Sequence, residues 1–469
     1  MRLLFAAAEI FPYAKSGGLA DIAHALTKEL AENVDVTAVM PLYASIDKKL
    51  HSIRPTGKRF SFKIADASYD VELFKGNDGL RETIFIYNPT LCDRKGLYGP
   101  PGGAYEDNDV RFMIFCKAIV EMARSYSFDI LHLNDWHTAM AALLARKSAL
   151  RCKIVFTIHN LAYQGLFPKE SLERTGVSKK HFNMEELEFY GQVNWMKGAI
   201  AHADAVTTVS PSYAVEIQEA EFGCGLDGFL RKHSRKLVGI LNGIDTNIYD
   251  PSRDPALAAN YSHNDLKGKE VCKKALLDEI DIKKYEQPLF IFIGRFVEQK
   301  GVGLIAEAME EMAKRPMTVA ILGEGEKSLE SELEKCAEKY PDVSLRLGYD
   351  EELSHRMYAA ADFLLMPSRF EPCGLNQMIA MRYGTVPIVH SVGGLRDTVH
   401  PINFKNCMCG AGFVFERFER SHFLKAVEDA LELYSKRGRL KRVGVFDMKC
   451  DFSIKKCAKS YLELYGRLL

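Results

Sequence analysis

Short apolar runs alternate with longer segments of helical patterning, and the alternation persists along most of the chain. Apolar runs of strand length fall at 2–8, 34–40, 83–87, 130–133, 153–158 and 205–209. They resume after about residue 240 at 289–293, 319–322, 343–347, 363–366 and 386–389. Between most of them lie helical patterns such as 20–32, 109–126 and 421–436. Strands alternating with helices predict parallel, doubly wound sheets. The segment 250–269 is polar and irregular, with Asp250-Pro251 and Asp254-Pro255, and reads as a linker or surface excursion between two such domains. No internal repeat, heptad run or low-complexity tract interrupts the pattern.

The stretch 363–399 holds a whole β–loop–α–β unit: an apolar strand 363–366, a turn 367–373, a helix candidate 374–383, a strand 386–389 and the turn Gly393-Gly394. In open α/β sheets ligands bind outside the carboxyl ends of the strands. The loop after the first strand carries Arg369, Glu371 and Gly374, with Glu371 just before the expected helix start. Backbone N–H groups at such a start favour an anion, and a carboxylate beside them suits sugar hydroxyls. From this segment alone, a helix-terminus role for the glutamate explains it equally well.

Composition narrows the class. A chain of 469 residues is too long for one ordinary core, so two domains of roughly 200–250 residues are expected. Lysine plus arginine equals aspartate plus glutamate at 62 each, which recommends neither a nucleic-acid nor an anionic-membrane partner. The first residues, MRLLFAAAEIFPYA, faintly imitate a targeting segment, but the apolar run is short and Glu9 interrupts it, so a first strand is expected. No run of 18 apolar residues offers a membrane span. Eleven cysteines are scattered without C-x-x-C, and the closest pair, Cys407 and Cys409, lacks partners at zinc-like spacing. Reduced thiols in a cytoplasmic protein are expected.

Candidate chemistry gathers where strands end. Lys15-Ser16-Gly17-Gly18 follows the first strand and precedes a helix; adjacent glycines allow close backbone approach, and the lysine supplies a point charge for phosphate. A plain strand–helix turn would account for the glycines, less readily for the lysine. No Walker loop occurs. The segment 93–112 is glycine- and proline-rich with two tyrosines, Tyr98 and Tyr105, as suits either a loop over a ligand or an ordinary connection. Strand 130–133 runs into Asn134-Asp135-Trp136-His137, and strand 153–158 into His159-Asn160. Carboxylates and indoles there are tools for sugars, whereas His137 reads as structural. Leu241-Asn242-Gly243 forms a turn at the expected domain boundary. Arg295 and Lys300, on a glycine-flanked loop after strand 289–293, suit a diphosphate, with solvated surface cations as the alternative. Tyr349, after strand 343–347, could stack on a flat base.

These segments together resemble the bacterial glycogen synthase and plant starch synthase family over essentially the whole chain. The motifs are KSGGLAD at 15–21, DRKGLYG at 93–99, HLNDWH at 132–137, TIHNLAYQG at 157–165, LNGID at 241–245 and GRFVEQKG at 294–301, then PSRFEPCGLNQ, YGTVP and GGLRDT. The resemblance implies two Rossmann-like, doubly wound domains facing a cleft (the GT-B arrangement): 1–240 on the acceptor side, 241–448 on the donor side, and 449–469 as a helix crossing back to the N-terminal domain. It implies retaining transfer of glucose from ADP-glucose to the non-reducing end of an α-1,4-glucan such as glycogen or starch. No metal or cofactor is implied. Lys15, Gly17 and Gly18 would line the donor's phosphate and sugar, Arg295 and Lys300 would bind the departing diphosphate, and Glu371 and His159 would stand beside the reacting sugar. Asp135, Asn160 and Asn242 would position hydroxyls, Tyr98 and Tyr349 would contact adenine, and the backbone at Cys373, Gly374 and Leu375 would meet the donor. The broader superfamily often carries a second glutamate eight residues after the first; here that position is Ile379. A two-glutamate mechanism is therefore disfavoured, and front-face attack is expected. The alternatives are a related transferase using UDP-glucose or a small phosphorylated acceptor, and a catalytically silent glucan-binding scaffold.

Overall fold

Runs such as Arg2–Ala6 (RLLFA) and Leu289–Ile293 (LFIFI) are apolar at almost every position, which suits strands covered on both faces by helices. In the computed structural model, residues 1–77, 81–100, 103–402 and 410–469 are described. They form two units: Met1–Ile240 with Ile454–Leu469, and Leu241–Ser453.

The first unit carries a nine-stranded sheet in the order Leu237–Gly239, Ala205–Thr208, Lys153–Ile158, Ile130–Asn134, Arg2–Ala6, Asp35–Pro41, Glu82–Tyr87, Ala67–Asn77, Arg54–Ile64. Strands from Leu237–Gly239 through Glu82–Tyr87 run parallel. The chain winds outward from Arg2–Ala6 in one direction, returns, and winds outward in the other. The order therefore reverses between Arg2–Ala6 and Ile130–Asn134. The second unit carries a seven-stranded parallel sheet in the order Val343–Leu347, Thr318–Gly323, Leu289–Ile293, Phe363–Met366, Val386–His390, Ala411–Phe415, His400–Pro401. Its reversal lies between Leu289–Ile293 and Phe363–Met366. Both units are thus doubly wound, as the alternation predicts.

Two features depart from the pattern reading. Arg54–Ile64 and Ala67–Asn77 form an antiparallel hairpin on the edge of the first sheet. Both strands are half exposed and polar, so no continuous apolar run marks them. The segment 250–269 is no free linker, because it is pinned onto the second unit. Asp254 accepts from His355 Nδ1 at 2.7 Å, and Tyr261 donates to the carbonyl of Tyr383 at 2.8 Å. The closest cysteine pair of the sequence, Cys407 and Cys409, lies outside the described residues. The nine described cysteines are free.

The last helix, Ile454–Leu468, belongs to the first unit, where it packs on helix Gly18–Leu30. It buries Ile454, Cys457, Ala458, Tyr461, Leu464 and Tyr465, the three- and four-residue spacing of one helical face. Its tyrosines also reach polar groups inside the sheet. The Tyr465 hydroxyl lies 2.7 Å from His132 Nδ1, and His132 Nε2 lies 2.6 Å from Thr157 Oγ1. Burial, with His159 nearby, pushes His132 down to about 3, so the ring is neutral and bridges the two hydroxyls. Removing the Tyr465 hydroxyl would leave a fully buried ring nitrogen unpaired. Tyr465→Phe is expected to cost about 1–3 kcal/mol of stability, measured by urea unfolding, and an unchanged midpoint would show that the bridge contributes nothing.

Candidate active site

In the second unit, the two loops that flank the reversal point are locked together. The first follows Leu289–Ile293 and carries Gly294, Arg295 and the turn Glu298–Lys300; the second follows Phe363–Met366 and carries Ser368 and Glu371. Arg369 N donates to the Gln299 carbonyl at 2.9 Å, and Gln299 Nε2 donates to the Phe370 carbonyl at 3.4 Å. Gly301 makes this approach possible. Its φ is +69°, and a Cβ there would stand 1.8 Å from the Pro367 carbonyl oxygen. The result is that Lys300 Nζ lies 2.6 Å from Glu371 Oε2, with Glu371 only 4 % exposed. Ser368 Oγ donates to the same oxygen at 3.0 Å. Removing the lysine would leave a buried carboxylate without its counter-charge, which is far costlier than losing a surface pair.

Arg295 is exposed on the first loop. On the second, Cys373 is buried, and Gly394 N donates to the Glu371 carbonyl at 3.0 Å. The helix begins at Asn376, not at 374, because Gly374 takes a left-handed φ of +74° that ends the loop before the helix can start. Glu371 therefore stands within the loop, held by its own partners, and not at the helix terminus. Leu375 is the residue at the helix cap. Asn242 is buried, with no hydrogen-bond partner for Oδ1 among the described residues, and Tyr349 stands exposed after Val343–Leu347. Ile379 is core, 3 % exposed.

In the first unit the strands flanking the reversal are again the ones that bear polar groups. Lys15 Nζ lies 2.9 Å from the Asp21 carboxylate in the first turn of helix Gly18–Leu30. Among the described residues, none beyond its chain neighbours has an atom within 4 Å of where a Cβ on Gly17 would stand, so packing does not explain that glycine. The loop is held by Glu9, a buried carboxylate that accepts from the Ser16 backbone N–H, from the Ser16 hydroxyl at 2.6 Å and from the Tyr98 hydroxyl. Tyr98 is fixed in turn by Asn108 Nδ2, which donates to its carbonyl at 2.8 Å, and its ring lies against His137 at 4.4 Å. Arg111 donates to the carbonyls of Leu91 (2.8 Å) and Leu97 (3.1 Å), which shapes the same loop.

Asp135 sits at φ 56°, ψ 179°, a conformation that costs a non-glycine residue about 1–3 kcal/mol and aims its carboxylate back at the next strand end. There Oδ1 accepts from the His159 backbone N–H at 2.8 Å. Burial pushes Asp135 up to about 7, against the pull of the His159 and Asn160 backbone donors. Burial likewise pushes the His159 ring down to about 3. Asn134 Nδ2 donates to the Ala6 carbonyl at 3.0 Å, which turns its Oδ1 toward His159 Nε2 at 2.9 Å. His159 is thus a neutral ring donating from Nε2, with the lone pair on Nδ1. It cannot serve as a cation near neutral pH. The Asn160 side chain accepts from Ala162 N at 3.0 Å.

The structure thus joins Lys300, Glu371 and the Cys373–Gly374 loop in one unit, and Lys15, Gly17, Tyr98, Asp135 and His159 in the other. Glu9, Asn134 and Ser368 escaped the sequence reading. Each left a signal: Glu9 as the charge breaking the first apolar run, and Asn134 and Ser368 by lying inside HLNDWH and PSRFEPCGLNQ. Among the described residues, no group of three or more His, Cys, Asp or Glu side chains could hold a metal, and no helix is long and apolar enough to cross a membrane.

Residues 276–444 match the family described as Glycosyl transferases group 1, and residues 2–232 match Starch synthase catalytic domain, so the class is glycosyltransferase. The chain is 43% identical to a glycogen synthase of Aquifex aeolicus over 99% of its length and 98% of that protein's. It is 41% identical to a glycogen synthase of Anaeromyxobacter dehalogenans, covering all of both chains. The catalytic domain of starch synthase IV from Arabidopsis thaliana, solved bound to ADP and acarbose, superposes with a TM-score of 0.92 at 34% identity, covering 99% of each chain. The chain therefore belongs to the glycogen and starch synthase family and is a glucan-forming glucosyltransferase. A sucrose-phosphate synthase from Thermosynechococcus elongatus, 17% identical with a TM-score of 0.65 over 100% of this chain and 98% of that one, shares the fold.

The raised Asp135 carboxyl gives a signed prediction. Its folded value, about 7, exceeds the ordinary 3.8, so its contribution to stability is full below about pH 4 and is lost as pH rises through about 7. Asp135→Asn keeps an acceptor for the His159 N–H without that loss. The melting temperature of the variant minus that of the wild type is expected to grow as pH rises from about 4 to about 8; a flat difference would contradict the assignment.

Proposed function

We propose that the enzyme transfers glucose from ADP-glucose to the non-reducing end of an α-1,4-glucan, with retention at the anomeric carbon. The observation that carries this reading is the Lys300–Glu371 pair at the reversal point of the second sheet, a cation and a carboxylate 2.6 Å apart. In open α/β sheets the ligand crevice lies at such a point. The ADP and acarbose bound to the starch synthase IV catalytic domain support the same substrate classes.

In this reading Arg295 and Lys300 bind the diphosphate and offset the charge it gains on leaving, while Lys15, with Gly17 and Gly18, serves the donor from the first unit. Glu371 stands beside the donor glucose, and the backbone of Cys373, Gly374 and Leu375 contacts the donor. His159, neutral, offers an acceptor nitrogen to the sugar, and Asp135, Asn160 and Asn242 hold hydroxyls. Tyr349 and Tyr98 are the adenine contacts. Tyr349 is exposed, whereas the Tyr98 hydroxyl donates to Glu9 and its ring meets His137.

The chemistry breaks the bond from the anomeric carbon to the diphosphate oxygen and forms a bond from the acceptor oxygen on the same face. The acceptor's proton passes to the departing phosphate. With Ile379 in the core, the position eight residues beyond Glu371 supplies no second carboxylate for a covalent intermediate. The cations meet the leaving group's charge, and no cofactor is invoked. An enzyme drawing on a nucleotide sugar and a glucan store is placed in the cytoplasm.

The test is nucleotide release from ADP-glucose and from UDP-glucose, each with and without a glycogen primer. Primer-dependent ADP release with slower use of UDP-glucose is expected. Equal use of both donors would overturn the base assignment. Glucan binding without release from either donor would overturn the catalytic reading.

A further inference from the structure

The Glu371 carboxylate is held by one oxygen only. Lys300 Nζ at 2.6 Å and Ser368 Oγ at 3.0 Å both meet Oε2, while Oε1 has no partner among the described residues. Two donors on one oxygen fix the rotation of the carboxylate and leave the other oxygen's lone pairs unspent.

Ser368 is not simply a turn residue on a flexible loop. It is 1 % exposed, and its carbonyl accepts from His390 Nδ1 at 2.8 Å. His390 ends strand Val386–His390, next to the strand that launches the loop, and its ring stacks on Phe415 at 5.3 Å and 25° and lies 5.7 Å from Phe418. Burial lowers its pKa, against the pull of the backbone carbonyls of Ser368 and Glu416, and Nδ1 is the nitrogen that faces the Ser368 carbonyl. A rigid strand end therefore fixes the Ser368 backbone, and the Ser368 hydroxyl fixes the glutamate three residues on.

We propose that Ser368, anchored by His390, is a positioning residue for the transfer reaction: it sets Glu371 so that Oε2 is shared with Lys300 and Oε1 is the oxygen presented to the donor sugar. The inference rests on the reading of Glu371 as the carboxylate beside that sugar. It goes beyond that reading by naming the oxygen that acts and the two residues that orient it. Neither Ser368 nor His390 need touch substrate.

The test uses the full-length enzyme with ADP-glucose and glycogen primer. A hydrogen bond to a charged group is at stake, so Ser368→Ala is expected to lower kcat by about tenfold to a hundredfold while the KM for ADP-glucose and the calorimetric affinity for ADP stay within about twofold. Ser368→Thr, which restores the hydroxyl, is expected to recover most of the loss. His390→Phe keeps the ring stack without the donor and is expected to lower kcat in the same direction. In a Glu371→Gln background, Ser368→Ala should add little, because its effect passes through the carboxylate. The proposal is overturned if Ser368→Ala loses the same factor in that background. It is also overturned if ADP affinity and melting temperature fall together with kcat, or if threonine rescues nothing. A wild-type enzyme that releases no ADP would overturn the donor reading, and this proposal with it, and is read in the same assay before any variant.

Discussion

A carboxylate buried at the mouth of a parallel sheet has to be neutralised locally, and here the neutralising group is Lys300. Much of the second unit's site follows from that pairing. It requires two loops to approach until a Cβ on Gly301 would stand 1.8 Å from the Pro367 carbonyl, so the position is occupied by glycine. It requires the Glu371 loop to be held on its far side, which Gly394 and Ser368 accomplish. It also sets the charge available to a ligand, because Lys300 is already shared with a carboxylate, whereas Arg295 is exposed.

Topology decides where such a pair can form. When a chain winds one way from a central strand and then the other, the connections leave the two strands at the reversal toward opposite faces of the sheet, and ligands bind outside the strand ends there. Both units place their polar groups at the strands around that point. In the second unit these are the loops after Leu289–Ile293 and Phe363–Met366; in the first, the loops after Arg2–Ala6 and Ile130–Asn134, with Lys153–Ile158 adjoining. The first unit solves its electrostatics differently. Two of its buried carboxylates are held by neutral donors, Glu9 by Ser16 and Tyr98 and Asp135 by backbone N–H groups, and its imidazoles at 132 and 159 are kept uncharged by burial.

The parts of the fold that were legible in sequence are those whose burial is two-sided. Strands such as Phe363–Met366 and Lys153–Ile158 are read almost to the residue because both faces are apolar. The hairpin Arg54–Ile64 and Ala67–Asn77 leaves no such mark, because its strands alternate and are half exposed. The candidate site divides in the same way. Positions at strand ends, such as Arg295, Asp135 and His159, stand out from motif and spacing. Their partners do not, since Lys300 meeting Glu371 is a contact across 71 residues, and Tyr98 meeting Glu9 one across 89. Pattern alone starts the helix at 374 and the structure at Asn376, because a left-handed Gly374 cannot be told from a helical one by composition.

If Lys300 serves both Glu371 and the donor's diphosphate, binding and catalysis should separate when the carboxylate is neutralised. The most direct measurement is calorimetric ADP binding to Glu371→Gln beside its turnover of ADP-glucose with primer. Freed from its counter-charge, Lys300 should bind ADP at least as tightly as in the wild type, while turnover falls by about a hundredfold or more. A variant that loses ADP affinity yet keeps its turnover would show that the pair is scaffolding and that the reacting sugar lies elsewhere.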